Sequence, residues 1–168
     1  TTSNDFEAIY LLMDILRSNP SAANAPQAIK AALKLVSGSG KTGEVQTIFL
    51  RELLALAPSK QLKTDILGRL GKAGTYQSLL VVAPFLDDAE LKEAACQAII
   101  SIVLDKPEMA GTFTTSILER VKREVNNPDA GYQRDAIQKY LNENPKTGGF
   151  ISMFDGKSLK GWKGLVGN

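Results

Sequence analysis

Apolar residues recur along this chain at helical spacing, segment after segment, and punctuation by proline, glycine and polar clusters divides it into eight helix-length pieces. The first, NDFEAIYLLMDILRS, places Phe6, Ile9, Tyr10, Met13 and Leu16 on one stripe, with Asn4 or Asp5 suited to cap it and Asn19-Pro20 to end it. A second helix is expected from about Pro26 to Val36, on Ile29, Leu33 and Val36. The third, about Gly43 to Ala57, turns Val45, Ile48, Phe49, Leu53 and Leu56 inward and Glu44, Arg51 and Glu52 outward. Pro58 breaks it, and Ser59 is placed to cap the fourth, KQLKTDILGRLGK, which Gly71 and Gly74 close.

The fifth piece, TYQSLLVVAPFL, is apolar nearly all round, which predicts a helix covered on more than one side. Pro84 lies inside it and predicts a kink or an early end, because its ring removes an N–H and meets the carbonyl four residues back. The sixth gives the cleanest pattern: Leu91, Ala94, Ala95, Ala98, Ile99, Ile102 and Val103 share one face, opposite Lys92, Glu93, Gln97 and Ser101. The seventh, about Thr112 to Asn126, carries Ile117, Leu118, Val121 and Val125. The eighth carries Tyr132, Ala136, Ile137, Tyr140 and Leu141, with Asp129 as its expected cap and Pro145 as its stop.

These helices pair at a near-constant period. Pairs beginning near Gly43, Thr75 and Glu108 lie about 32 residues apart, in the range of helical solenoids, whose hairpins bury their apolar faces only by stacking. The second helices align as Leu62, Leu91 and Tyr132, then Ile66, Ala95 and Ala136, then Leu70, Ile99 and Tyr140. The segment from Leu79 to Ile99 has an apolar first helix, an acidic turn at Asp87 and Asp88, and a Leu91-Lys92 opening to an alanine-rich second helix. In this it resembles a HEAT-like repeat, which implies an all-α, right-handed α-α superhelix of about four hairpins over residues 1–145. A plain helical bundle is the competing architecture. Small residues on the sixth helix are expected to allow close helix approach, and the acidic turn to cap that helix and suit its positive end.

Composition narrows the chemistry. Of 168 residues, 43% are hydrophobic and 23% charged, as in ordinary globular domains, and 20 basic residues against 18 acidic leave a net charge of +2. That balance gives no electrostatic footprint for nucleic acid or anionic lipid. Histidine is absent, which removes the commonest general base and zinc ligand, and Cys96 is the single cysteine. No apolar run approaches the roughly 20 residues a membrane span needs, so no membrane insertion is expected. The opening TTSNDFEAIY has neither an initiator methionine nor a signal-peptide pattern and reads as a mature chain or an excised piece.

The candidate motifs reduce to structural roles. Ser37 to Gly43, SGSGKTG, suggests a phosphate loop, but Leu35 stands where a Walker A requires its first glycine, and the loop follows a helix instead of a strand. An inter-hairpin loop with a glycine C-cap at Gly38 is the better reading. Cys96 reads as a small buried hydrophobe. Asp87, Asp88, Glu90 and Glu93 read as capping and solvated carboxylates, and Arg120, Lys122 and Arg123 as a cluster favoured by the negative end of the seventh helix. No cofactor or metal is expected.

Beyond Pro145 the helix formers give way to glycine. Phe150, Ser152 and Phe154 alternate with Ile151 and Met153 as in a short strand, and Asp155-Gly156 marks a turn. Phe150, Met153-Phe154, Asp155-Gly156-Lys157, Leu159 and Gly161-Trp162 together resemble the opening of the 3-keto-disaccharide hydrolase domain (domain of unknown function 1080). Aspartate replaces the commoner asparagine in the turn. The likeness covers only about residues 149–168, so residues 146–168 are expected to be a linker and the first strand of a β-sandwich, and no catalytic residue carries over. It implies a bacterial, exported parent, periplasmic or secreted, that processes carbohydrate and carries the helices as an N-terminal accessory part.

The expectation for the helical part is thus a non-enzymatic interaction scaffold. Its surface would be the exposed faces of the second helices, at Lys63, Lys92, Glu93, Gln97, Arg134 and Gln138. Its partner would be another protein or the downstream β-sandwich, with a glycan reached through the parent. The alternative is that the full-length parent is the hydrolase and these helices are its inactive fragment or a spacer.

Overall fold

The computed structural model describes residues 3–20 and 22–145, with side chains from Glu7 onward. The Phe6 side chain and the Phe150–Trp162 strand and turn lie outside the described residues, and the first helix begins at Ser3, so Asn4 and Asp5, expected as its cap, fall within it. Among the described residues eight α-helices follow one another: α1 (Ser3–Ser18), α2 (Ala25–Gly38), α3 (Gly43–Leu56), α4 (Lys60–Ala73), α5 (Tyr76–Val82), α6 (Lys92–Val103), α7 (Thr112–Glu124) and α8 (Ala130–Glu143). Two short 3-10 segments, Ala83–Asp87 and Pro107–Met109, lie between helices, and there is no strand among the described residues.

Local chemistry sets several of these boundaries. Ser59 accepts the Leu62 N–H at 3.4 Å and caps α4. Thr75 and Ser78 form a reciprocal capping box on α5, at 3.0 and 2.9 Å. Asp88 Oδ1 accepts the N–H groups of Glu90 and Leu91 at 2.9 and 3.2 Å, which ties down the start of α6. Pro84 acts as its ring chemistry requires: α5 stops at Val82 and the chain continues as a 3-10 turn.

Other boundaries differ from the sequence expectation. Gly38 lies within α2, and the left-handed residue of that loop is Gly40, at φ 65°. Gly71 lies within α4, and Gly74, at φ 62°, closes it. Asp129 occupies the N-cap position of α8 without a side-chain capping bond.

The helices pack as four antiparallel-type hairpins, α1 on α2, α3 on α4, α5 on α6 and α7 on α8, stacked as a superhelical array. Second helices stack on second helices, α2 on α4 and α4 on α6, while α1, α3 and α5 form the neighbouring layer. The α4–α6 contact is the most extensive in the chain. Small residues make it close: a Cβ placed on Gly71 would lie 3.2 Å from Ala98 Cα. The core between the layers includes Ile9, Met13, Ile29, Leu53, Ile66, Leu70, Leu79, Ile99, Ile102, Leu118 and Ile137, all fully buried.

Polar staples repeat at the period of the stack. Arg17 of α1 pairs with Glu52 of α3. Arg69 of α4 donates to the Leu33 carbonyl of α2 at 3.1 Å, and Lys106 donates to the Gly74 carbonyl. Arg120 of α7 donates to the Leu86 carbonyl at 2.9 Å, and the Tyr140 hydroxyl donates to the Lys106 carbonyl at 3.0 Å. Each joins residues 32 to 36 apart, one hairpin to the next. Four of the five end on a backbone carbonyl, so a side chain of one hairpin is tied to the main chain of its neighbour.

Four apolar residues expected inward face solvent. Tyr10 is 49% exposed, Ile48 53%, Leu80 48% and Tyr132 79%. On α3 the reason is rotation about the helix axis: Leu50 and Leu54, which the stripe reading left out, are buried beside Phe49 and Leu53, and this turns Ile48 outward.

Candidate functional site: a trough between first helices

Large exposed apolar side chains are concentrated on the first helices of the hairpins. Among the described residues they are Tyr10, Leu11 and Ile15 on α1, Ile48 on α3, Tyr76 and Leu80 on α5, and Phe113 on α7; of these described residues only Tyr132, on α8, belongs to a second helix. Edge-on ring contacts tie neighbours together, Tyr10 with Phe49 at 5.4 Å and Tyr76 with Phe113 at 6.2 Å between centroids.

Between α3 and α5 this apolar surface becomes concave. A cavity of about 540 Å³ is lined by Leu54, Leu80, Val81, Pro84, Phe85 and the aliphatic edge of Ala55, with Arg51 and Lys63 at its margin. A second, of about 290 Å³, is lined by Thr47, Ile48, Gln77 and again Arg51, Leu80 and Val81. The shared residues make the two one continuous trough. Pro84 shapes it: by ending α5 after seven residues, it turns the chain into a 3-10 segment that contributes Phe85 to the wall and buries Ala83 and Leu86 beneath.

Neither the Arg51 guanidinium nor the Lys63 ammonium has a hydrogen-bond or ion-pair partner among the described residues. Most other arginines of the fold are engaged: Arg17 with Asp14 and Glu52, Arg69 with the end of α2, Arg120 with Asp87 and Glu124, and Arg134 with carbonyls of α7. The trough thus combines an apolar floor with two cations available to a partner.

Of the six residues expected to form an interaction surface, Lys63 is the one that lines this trough. The other five bond within the fold, Lys92, Glu93 and Gln97 where the third hairpin meets the fourth and Arg134 and Gln138 within the fourth. Glu93 accepts the Asn126 N–H at 3.0 Å, Asn127 Nδ2 at 2.5 Å and Gln97 Nε2 at 2.9 Å. Gln97 and Gln133 exchange two amide bonds, at 3.1 and 2.8 Å. Arg134 donates to the Val125 and Lys122 carbonyls, at 2.7 and 3.2 Å, closing the end of α7. Gln138 accepts from Lys122 and donates to Asn142. Lys92 lies 3.7 Å from Glu124 Oε2, an ion pair without a hydrogen bond.

Burial is the largest influence on Glu93 and would by itself raise its pKa. The Asn126, Asn127 and Gln97 donors outweigh it and hold the carboxyl below its ordinary value. Cys96 is fully buried on α6. Burial, reinforced by Glu93 and Glu124, pushes its thiol up to about 11, so it stays protonated and is a poor nucleophile near neutral pH. Arg120 pairs with Glu124 along the end of α7 at 2.9 Å and also reaches back to the preceding hairpin, donating to the Leu86 carbonyl at 2.9 Å and to exposed Asp87 at 2.7 Å. No helix among the described residues is long and apolar enough to cross a membrane.

The signal for the trough was present in the sequence, in the excess apolarity of TYQSLLVVAPFL. A helix that is apolar all round has more apolar surface than one neighbour covers, and here the remainder is open. Comparison with protein-family models, with curated proteins and with solved structures gives no match.

Proposed function

We propose that this chain is a non-catalytic helical-repeat interaction module whose recognition surface is the trough between α3 and α5. The observation that carries this reading is the coincidence, in one concave site, of exposed Ile48 and Leu80 with the unpartnered cations Arg51 and Lys63. Exposed apolar surface that is concave and charged at its margin is the usual form of a docking site. The staples between hairpins supply a rigid frame on which such a site is held at low ordering cost. In the larger protein, the module serves as the N-terminal accessory part of a bacterial carbohydrate-processing hydrolase, a reading supported by the likeness of Phe150 to Trp162 to the opening of that domain.

An aromatic fragment tests the trough directly. Titration of N-acetyltyrosinamide into methyl-labelled protein is expected to shift the resonances of Ile48, Leu54, Leu80 and Val81 while leaving Leu11 and Ile15 unmoved. Shifts spread evenly over all exposed apolar residues, or none at the trough, would overturn the site. Turnover of a 3-keto-disaccharide by the 168-residue chain alone would overturn the non-catalytic reading.

A further inference from the structure

Charge is segregated along the stack in a way the net value of +2 conceals. Residues 22–74 hold eight basic side chains against three acidic, whereas residues 75–145 hold seven basic against eleven acidic. The trough's two free cations belong to the basic part. On the acidic part, α8 carries the most exposed large apolar side chain among the described residues, Tyr132, at 79%. Asp129 and Asp135 flank it at spacings of three residues, both exposed and neither carboxylate bonded to a described residue. At helical rise the two aspartates are about 9 Å apart along the axis, on one side of the helix with the ring between them.

We propose that the trough receives the Asp129-Tyr132-Asp135 knob of a second copy of this chain, which rests on the reading of the trough as a docking site. Tyr132 would bury its ring against Leu80, Val81, Pro84 and Phe85. Asp129 and Asp135 would pair with Arg51 and Lys63, two carboxylates meeting the two cations that the fold leaves without partners. A trough of about 540 Å³ has room for a tyrosyl side chain and its flanking turn. The chain's own residues 146–168 make a poorer occupant, since four lysines against one aspartate give them the same sign as the margin. Knob and trough lie on different hairpins, so the contact is head-to-tail: one copy can use both, and growth proceeds to a chain or closes to a ring.

Sedimentation velocity of the 168-residue chain, from about 10 μM to about 1 mM, tests this across the range expected of a small contact with one anchor. Association is expected to rise with concentration and to weaken at least about tenfold as ionic strength goes from about 0.01 M to about 1 M, which shortens the screening length from ~30 to ~3 Å. Leu80→Glu closes the trough and Tyr132→Glu removes the knob, so each variant alone is expected to be monomeric. Mixed, they are expected to form a one-to-one dimer, because the first retains a knob and the second a trough. A charge exchange repeats the test without touching apolar residues: Arg51→Glu with Lys63→Glu, and Asp129→Lys with Asp135→Lys, each monomeric alone and associating when mixed.

Circular dichroism melts of each variant establish that the helices persist. A wild-type chain that stays monomeric throughout overturns the proposal, as does association that survives both single variants and so uses another surface, such as Leu11 and Ile15. If the chain is monomeric while N-acetyltyrosinamide still binds at Leu80, the trough stands and the second copy is not its occupant. If the fragment does not bind either, the reading of the trough falls as well.

Discussion

Two glycine-to-alanine substitutions should act with opposite sign, and the difference follows from what each new methyl group meets. Gly68 lies within α4, exposed, and a Cβ there has nothing within 4 Å. Alanine is favoured over glycine in a helix interior by up to about 1 kcal/mol, mostly because the unfolded chain loses freedom, so Gly68→Ala should stabilise by about 0.5–1 kcal/mol. Gly43 begins α3 against the α4–α5 turn, and there a Cβ would lie 2.3 Å from the Ala73 carbonyl oxygen and 2.7 Å from Thr75 Cγ2. The first of these is backbone, held by the end of α4, and cannot swing aside. Relief requires the two hairpins to shift, disturbing the Thr47–Thr75 hydroxyl contact at 3.2 Å and the Thr75 cap of α5. Overpacking of this kind costs about 1–3 kcal/mol and outweighs the propensity gain, which is smaller at a helix's first turn. In a chain of this size each kcal/mol moves the melting temperature by about 2–4 °C. Thermal and urea unfolding followed at 222 nm should place Gly68→Ala a few degrees above the wild type and Gly43→Ala several degrees below it. Equal stabilities, or a Gly43→Ala variant at or above the wild type, would refute the close approach of α3 to the α4–α5 turn.

The remaining expectations concern titration and reactivity. Glu93 has a folded pKa below its ordinary 4.5, so its contribution is fully present above that value and is lost as pH falls through the lower folded one. Urea unfolding over a pH series should therefore show wild-type stability falling more steeply on acidification than that of Glu93→Gln; parallel curves would contradict the network. The Cys96 thiol, buried and pushed up to about 11, should react with Ellman's reagent at pH 8 only as the fold opens, faster with added urea, and rapid labelling of the native protein would contradict its burial.

Existence and pairing of the helices were legible because they depend on local chemistry: apolar period, the Ser59 cap, the Pro84 stop and a repeat near 32 residues. Which polar residues are free was not. Glu93 and Gln97 point away from their own hairpin, as a helix projection requires, yet the next hairpin fills that space with Asn126, Asn127 and Gln133. A position outward on one helix becomes inward once hairpins stack, and no single-helix pattern records this. Ile48 failed the opposite way. Apolar residues on α3 cover more than one stripe, and only the seating of α4 decides that Leu50 and Leu54 are covered while Ile48 is not. Tyr132 aligned with Leu62 and Leu91 in the repeat, but those are buried by a following helix and it is not.

The joints between hairpins are of two kinds, and their placement bears on the trough. Between the third and fourth hairpins, the apolar contact of α6 with α7 is supplemented by the Glu93, Gln97 and Gln133 network, partly exposed and open to exchange with water. Between the second and third, α4 and α6 approach across Gly71 and Ala98, an apolar joint too close to admit water. Interfaces of the second sort resist local opening, since separating them exposes apolar surface, and being close-packed they pass strain on to what they support. The trough is formed by α3 and α5, the outer helices of those same two hairpins. A partner docking there meets walls already fixed by the closest joint in the stack, so little ordering cost is added on binding. Loosening that joint from the far side, with Ala98→Leu, should therefore weaken occupancy of a trough it does not touch.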